Sequence, residues 1–180
     1  MKYATIKKYD VANGPGVRVS IFVSGCNHHC KGCFNEEAWD FNYGTEFTDE
    51  TISIIIDAMR PDYISGLSIL GGEPFEHVNQ VGLLKLVKSV KEVYPYKDIW
   101  AYSGFLFDRD IVGKQSKIFP ETSELLKYID VLVDGKFIED KKNPNLYFRG
   151  SSNQRIIDVK ESLKFGKVSE IIMEKEKVLC

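Results

Sequence analysis

The chain has 180 residues, with 24 basic and 26 acidic side chains and a formal net charge of −2. This length fits one compact domain, residues 1–180, and leaves little room for a second. The balanced charge argues against a general nucleic-acid-binding protein, which needs a basic surface, and a hydrophobic content of 43% argues against an intrinsically disordered chain.

No segment of the sequence has the pattern of a secretory signal or a membrane span. The first residues lack an apolar core, and no run approaches the roughly 18 consecutive apolar residues of a transmembrane helix. Three of the four cysteines lie within eight residues, from 26 to 33. Such clusters are typical of metal-binding or catalytic sites in reducing compartments. We therefore expect a cytoplasmic protein.

Strands and helices alternate along the chain. Strands are predicted where β-branched residues alternate or cluster, and helices where apolar residues recur every three or four positions. In chain order the pattern predicts a strand at 17–23, a helix that begins after Thr48 and stops before Pro61, a strand at 64–70, a helix at 81–94, a strand at 99–103, a short helix at 121–129, a strand at 131–133 and a fifth strand at 155–159. This alternation indicates right-handed βαβ units and a mainly parallel sheet.

Four unusual loops each follow a predicted strand. They are the cysteine segment, Gly71-Gly72-Glu73-Pro74, Ser103-Gly104 and Asp134-Gly135-Lys136. Ligands of α/β folds bind beyond the carboxyl ends of the strands. We therefore expect these loops to share one face of the sheet and to form the functional site.

Cys26, Cys30 and Cys33 have the spacing Cys-x3-Cys-x2-Cys. Three thiolates on so short a loop can wrap one corner of a cubane cluster, and iron–sulfur clusters favour thiolate ligands. The remaining cysteine, Cys180, is the final residue and is interpreted as an unrelated thiol. The sequence therefore predicts a 4Fe–4S cluster with one iron open to a ligand that the protein does not supply.

Two other interpretations of the cysteines stay open at this point. A structural zinc site would add His28 or His29 to the three thiolates, although the short loop strains a fourth ligand between the first two cysteines. A thioredoxin-like pair of Cys30 and Cys33 would leave Cys26 without a role. A third histidine, His77, is interpreted as a surface residue.

The cysteine loop and the segment Gly71-Gly72-Glu73-Pro74 together resemble the radical S-adenosylmethionine superfamily. Within it, the chain is most similar to the activating proteins of anaerobic ribonucleoside-triphosphate reductases. The supporting stretches are Asn13-Gly-Pro-Gly-Val-Arg18, Cys26-Asn-His-His-Cys-Lys-Gly-Cys-Phe-Asn35, Asp130-Val-Leu-Val-Asp-Gly-Lys-Phe137 and Arg149-Gly-Ser-Ser-Asn-Gln-Arg155.

The chain departs from the superfamily pattern at one position. Many members have an aromatic residue just before the third cysteine, whereas this chain has Gly32 there and Phe34 just after it. The resemblance implies an incomplete (β/α) barrel, formed by residues 1–180 as a single radical S-adenosylmethionine domain.

The resemblance also implies a binding site for S-adenosylmethionine at the open iron. Gly71 and Gly72 would let the backbone approach the methionyl end, Glu73 would accept a hydrogen bond from its ammonium, and Pro74 would stiffen the turn. Ser103 is a candidate for the carboxylate or ribose. By the same resemblance, Asp134 and Lys136 would contact the nucleoside. Arg18 and residues 149–155 are interpreted either as contacts to adenosine or the partner protein, or as solvated loops.

The reaction that the resemblance implies is cleavage of S-adenosylmethionine to a 5′-deoxyadenosyl radical, which installs a glycyl radical on the large subunit of the anaerobic reductase. A reduced flavodoxin-like protein would donate the electron. Two alternatives stay open. One is a radical enzyme for another glycyl-radical protein or a small molecule, and the other is a non-catalytic zinc or iron–sulfur module.

Overall fold

One seven-stranded sheet, in the order β3-β1-β2-β4-β5-β6-β7, organises the computed structural model. The structure describes residues 1–173, and Cys180 lies outside them. The strands are β1 Lys2–Asp10, β2 Val17–Val23, β3 Thr45–Glu46, β4 Ile64–Gly71, β5 Asp98–Ser103, β6 Val131–Asp134 and β7 Arg155–Asp158.

The helices connect and cover the central strands. They are α1 Asp49–Ala58, α2 His77–Val93, α3 Ser116–Ile118, α4 Pro120–Leu126 and α5 Val159–Phe165, with a π-helical segment Phe107–Gln115 and short 3-10 turns at Glu36–Trp39 and Glu139–Lys141. None of the helices within residues 1–173 is long and apolar enough to cross a membrane.

The sheet is mixed, so the predicted α/β class is confirmed, whereas the predicted mainly parallel, incomplete barrel is not. Strands β2, β4, β5 and β6 pair in parallel. Strands β1, β3 and β7 pair antiparallel at the two edges. The loops that connect these strands explain why they are antiparallel, because two neighbouring parallel strands need a long crossover connection. Residues 11–16, between β1 and β2, are too few for such a crossover. Residues 135–154 begin and end at the same end of β6, so β7 runs back antiparallel to it.

The two faces of the sheet are covered differently. Alternate residues of β2, among them Val19 and Ile21, face the helices and join a large apolar core. The opposite face, which we call the inner face, carries a small cluster of Trp100, Val133 and Ile156, against which Phe148 packs. Because no α-helix lies over it in the described chain, loops cover it, and a cavity remains between them.

Most predicted elements are confirmed within a few residues. The helix after Thr48 has its capping box, in which Thr51 Oγ1 accepts a hydrogen bond from Thr48 N at 3.1 Å. Helix α2 begins at His77, four residues before the predicted start. Strands β1 and β3, helix α5 and the π-helical segment had no prediction from the sequence.

Candidate functional site

The three clustered cysteines line one cavity of about 420 Å³ at the carboxyl ends of the parallel strands. Cys26 is buried, Cys30 and Cys33 are half-buried, and all three are free of disulfides within the described residues. Backbone hydrogen bonds fix the start of their loop, with Gly25 N donating to Ala38 O at 2.8 Å. The short turn Glu36–Trp39 therefore holds the cysteine segment against the sheet.

Gly71 and Gly72 lie directly beside the cysteine loop. Gly71 has a φ of 109°, and a Cβ on it would lie 2.6 Å from Val23 N. A Cβ on Gly72 would lie 2.6 Å from Gly25 O. Only glycine lets these two backbones pass so closely, and Glu73 N then donates to Gly25 O at 2.8 Å. The glycines thus position the cysteine loop, and Gly71 and Gly72 also line the cavity.

Glu73 is the centre of the hydrogen-bond network behind the cavity. Its side chain is 1% exposed and accepts four hydrogen bonds, all between 2.8 and 2.9 Å; the donors are Phe75 N, Ser103 Oγ, Gly104 N and His28 Nε2. One carboxylate therefore ties together the cysteine loop, the loop after β4 and the loop after β5. Charge-assisted bonds of this kind are about twice as strong as neutral ones.

His28 and His29, the possible ligands in the zinc interpretation, instead contact Glu73 and aromatic rings. His28 Nε2 donates to Glu73, and its ring packs edge-on against Phe105, with ring centroids 4.4 Å apart. His29 packs against Trp39 at 4.7 Å. Among residues 1–173, no group of three His, Cys, Asp or Glu side chains is placed to hold a single metal ion. The thiols fit a cluster better, because each thiolate then binds a different iron.

Burial raises the pKa of two of the thiols. It raises the pKa of Cys26 to about 12, against a smaller lowering by the His28 backbone amide. Burial also raises the pKa of Cys30, although nearby Lys136 and the Phe137 amide act in the opposite direction. Iron binding must therefore displace protons from buried thiols. The Cys33 sulfur accepts a hydrogen bond from Asn35 N at 3.4 Å.

Only some of the residues predicted to contact S-adenosylmethionine line the cavity. Ser103 lines the cavity with Gly71, Gly72 and Glu73, whereas Pro74, Asp134 and Lys136 do not line its wall. Asp134 is fully buried, and its carboxylate accepts hydrogen bonds from Arg155 Nε at 2.9 Å and Phe107 N at 2.7 Å. Its carboxylate is therefore engaged within the protein, and Lys136 lines a shallow depression next to the cavity. Their contact to a nucleoside stays a prediction.

Residues 149–155 form part of the cavity wall through Arg149, Gly150 and Gln154. Gln154 Oε1 accepts from Gly150 N and Ser151 N, and its Nε2 donates to Gly135 O at 2.9 Å. Hydrogen bonds therefore join this stretch, at the end of the β6–β7 connection, to Gly135 at its beginning.

Arg18 and His77 lie elsewhere. Arg18 is fully buried and binds Ser68 Oγ at 2.7 Å and Asp98 Oδ1 at 2.6 Å, which closes the amino end of the central strands. His77 is half exposed and stacks on Phe119 at 4.0 Å.

Sequence reasoning missed the part of the cavity that lies over the inner face. Asn13, Tyr102 and Phe148 line it. The signal was present in β5, where Trp100 and Tyr102 alternate with Ala101 and Ser103 and must face the opposite side of the sheet.

The fold and the cysteine loop define a class of protein. A family model described as a 4Fe-4S single cluster domain matches residues 12–157, which include the three cysteines and every loop of the cavity. The prediction of a 4Fe–4S cluster is thereby confirmed over the zinc and dithiol interpretations.

Curated relatives narrow this class to one family. The anaerobic ribonucleoside-triphosphate reductase-activating protein of Haemophilus influenzae is 42% identical over 158 residues, which cover 87% of this chain and 97% of the relative. The proteins of the same name from Escherichia coli K12 and Enterobacteria phage T4 are each 39% identical over 156 residues and are covered to 96% and 93%. The chain belongs to the family of anaerobic ribonucleoside-triphosphate reductase-activating proteins, which confirms the resemblance inferred from its sequence.

Proposed function

We propose that this protein activates the anaerobic ribonucleoside-triphosphate reductase by installing a glycyl radical on its large subunit. The observation that carries the proposal is the joint position of Cys26, Cys30 and Cys33 on one cavity with Gly71–Glu73 and Ser103. The names of the relatives supply the partner. These names favour the reductase as the substrate over another glycyl-radical protein or a small molecule. They also favour an enzyme over a non-catalytic zinc or iron–sulfur module.

The three thiolates hold the cluster in this proposal and leave one iron for S-adenosylmethionine. When bound and reduced by the external donor, the cluster would supply one electron to the sulfonium of S-adenosylmethionine, giving methionine and a 5′-deoxyadenosyl radical that would take one hydrogen atom from the target glycine and leave as 5′-deoxyadenosine. The protein orients the reactants and excludes water. No general acid or base is required, because a hydrogen atom rather than a proton is transferred.

Glu73 supplies the carboxylate of the cavity wall, and its charge attracts the cationic methionyl end of S-adenosylmethionine. Since its oxygens already accept four protein donors, an ammonium group would share or replace one of them. Gly71, Gly72 and Ser103 border the same space. Pro74 shapes the turn. Asp134 and Lys136 do not line the cavity, and Asp134 is bound to Arg155, so their predicted contact to the nucleoside carries no part of this proposal.

Several features of the proposal come from the family resemblance. Residues 1–180 act as a single radical S-adenosylmethionine domain, and a reduced flavodoxin-like protein donates the electron. Three free thiols suit a reducing compartment, which supports a cytoplasmic location in this proposal.

The first test is cluster assembly and cofactor cleavage. Protein purified without oxygen and reconstituted with iron and sulfide should be brown and, when reduced with dithionite, should convert S-adenosylmethionine to 5′-deoxyadenosine. Cys30→Ala should lose both properties, whereas Cys180→Ser, the matched control, should keep them. A colourless wild type, or one that yields no 5′-deoxyadenosine, would overturn the proposal.

The second test concerns the substrate. Addition of the anaerobic reductase from the same organism should give a glycyl radical signal in electron paramagnetic resonance, and replacement of the target glycine by alanine should abolish it. If the wild type makes 5′-deoxyadenosine but no such signal, the substrate is a different molecule.

A further inference from the structure

Asn79 is a buried polar residue whose side chain joins two loops of the site. It lies in the first turn of α2 and is fully buried. Its Nδ2 donates one hydrogen bond to Ser24 O at 3.0 Å and another to Glu73 O at 2.9 Å. Ser24 comes two residues before Cys26. A single amide group therefore connects the start of the cysteine loop to the loop after β4.

These hydrogen bonds lie just beyond the paired ends of β2 and β4. The two strands run parallel as far as Val23 and Gly71, after which the chain separates into the two loops. Past this point Glu73 N donates to Gly25 O at 2.8 Å and links the loops directly. Asn79 adds a link from each loop to a third element, helix α2.

Helix α2 is well anchored for this role. Four of its later residues are fully buried in the apolar core, namely Leu83, Leu86, Val87 and Val90. Side chains in a close-packed core resist displacement, so the helix has a fixed position on the sheet. The amide of Asn79 thereby sets the position of both loops relative to the core of the protein.

Packing alone does not explain an asparagine at this position. An apolar side chain of similar size would fill the same space, whereas Asn79 Oδ1 is buried without a hydrogen-bond partner among residues 1–173. A buried polar atom that lacks a partner lowers stability. The benefit of the asparagine therefore comes from its Nδ2 group and the two carbonyl oxygens that this group holds.

We propose that Asn79 is a positioning residue, which keeps the cysteine loop and the loop after β4 at the separation that S-adenosylmethionine requires. This inference rests on the proposed function, in which the cofactor is held between the iron left open by the three cysteines and the loop Gly71–Glu73. Asn79 does not line the cavity and acts through the two carbonyl groups. A ligand that is held at both ends loses affinity when the two ends are no longer preorganised.

The test compares Asn79→Leu and Asn79→Ala with wild type after reconstitution of the cluster without oxygen. Iron per chain and melting temperature are measured first. The dissociation constant of S-adenosylmethionine is then obtained by titration, from its effect on the electron paramagnetic resonance spectrum of the reduced cluster. KM and kcat for 5′-deoxyadenosine formation complete the comparison.

Both variants should keep the wild-type iron content, because Gly25 N and Cys26 N still donate to the turn at Glu36–Trp39. The dissociation constant and KM should each rise about tenfold, as expected for the loss of about one hydrogen bond. In contrast, kcat should change less than about twofold, because the chemistry that follows binding belongs to the cofactors. Asn79→Leu fills the buried space better than Asn79→Ala and should melt at a higher temperature, yet it should show the same loss of affinity.

Lys97→Met is the matched control. Lys97 is also buried and also donates to two backbone carbonyl oxygens, Met59 O and Pro61 O. It lies just before β5, at the end of the sheet opposite to the cysteine loop. The control should lower the melting temperature and leave the dissociation constant and KM at their wild-type values.

Three outcomes would overturn the inference. Wild-type dissociation constants and KM values in both Asn79 variants would show that the loops keep their separation without the amide. Equal increases in Lys97→Met would assign the effect to lost stability. Loss of iron from both Asn79 variants would place the residue in cluster assembly instead. A wild type that binds iron but does not respond to S-adenosylmethionine is a separate result, which contradicts the proposed function and this inference with it.

Discussion

At the scale of single residues, Glu73 connects the three loops of the site. A carboxylate can accept on both oxygens, and here each oxygen has two donors. An amide in the same place would turn one oxygen into an NH2 group that faces other donors. The negative charge is therefore needed for the arrangement of the loops as well as for any ligand.

Glu73→Gln should lower stability by about 1–3 kcal/mol, because buried donors lose their acceptor. For a chain of this size the melting temperature should fall by about 2–4 °C for each kcal/mol. Iron content after reconstitution should also fall, since His28 links Glu73 to the cysteine loop. Glu76→Gln is the control, because within residues 1–173 the Glu76 side chain accepts hydrogen bonds only from Asn27, at the exposed surface. Equal melting temperatures for the two variants would contradict the central role of Glu73.

Gly104 makes room for His28. A Cβ at this position would lie 2.5 Å from His28 Cδ2, and the ring cannot move away without leaving Glu73 and Phe105. Gly104→Ala should therefore displace the ring and reduce cluster content, measured as iron per chain. Gly82→Ala should not, because its Cβ meets the flexible Met1 side chain and alanine favours a helix interior. Full iron occupancy in Gly104→Ala would show that the His28 position is dispensable.

At the scale of secondary structure, Asp130 joins α2, β5 and α5 just before β6. It accepts hydrogen bonds from Lys91 Nζ at 3.0 Å and Ile99 N at 2.8 Å, and it also binds Lys160. Burial alone would raise the pKa of Asp130, but these donors outweigh it and hold the pKa below its ordinary value. The charged form is therefore bound more tightly in the folded protein than in the unfolded chain.

Asp130→Asn should be destabilised relative to wild type, and the difference should depend on pH. Because the folded pKa is lowered, the stabilisation is complete above the unfolded pKa of about 3.9 and disappears as the pH falls through the folded value. The two unfolding free energies should differ by about 1–3 kcal/mol near pH 7 and should converge below about pH 4. Loss of the cluster in acid affects both proteins and cancels in the difference. A gap that is constant down to pH 3 would contradict this explanation.

At the scale of the whole molecule, the cavity that we propose for the cluster lies in a layer of loops above a sheet that has its own core. The cysteine loop contacts the loop after β6 through the ion pair of Lys31 Nζ with Glu139 Oε2 at 3.0 Å. Surface pairs of this kind contribute little. The bound cluster should therefore add to the stabilisation that the Glu73 hydrogen bonds give these loops, by mass action on the folded state.

Removal of iron by a chelator should lower the melting temperature and increase hydrogen exchange selectively. Amides in residues 25–39 and 135–142 should exchange faster, whereas the buried interior of α2 should exchange at the same rate. Mass spectrometry of peptic fragments from the loaded and stripped protein measures both. An equal increase across α2 would show that the loops and the core unfold as one unit.

The start of α2 shows where sequence patterns fail. Its first turn was missed because Asn79 and Gln80 are buried although they are polar. Asn79 Nδ2 donates to Ser24 O at 3.0 Å, and Thr122 Oγ1 donates to Gln80 Oε1 at 2.6 Å. Apolar spacing cannot detect residues that are buried through hydrogen bonds to distant segments. Strand β1 was missed for a different reason, because most of its residues are partly or fully exposed and only Asp10 is buried, so its apolar alternation is weak.

The sequence by itself determined the α/β class, the central strands and the three cysteines, because these depend on local periodicity and on the spacing of ligands within one loop. The tertiary structure decided the mixed edges of the sheet, the four donors of Glu73, the burial of Asp134 against Arg155 and the extent of the cavity over the inner face. Each of these depends on contacts between segments far apart in the chain. Residue types and spacing leave such contacts open until the backbone is folded.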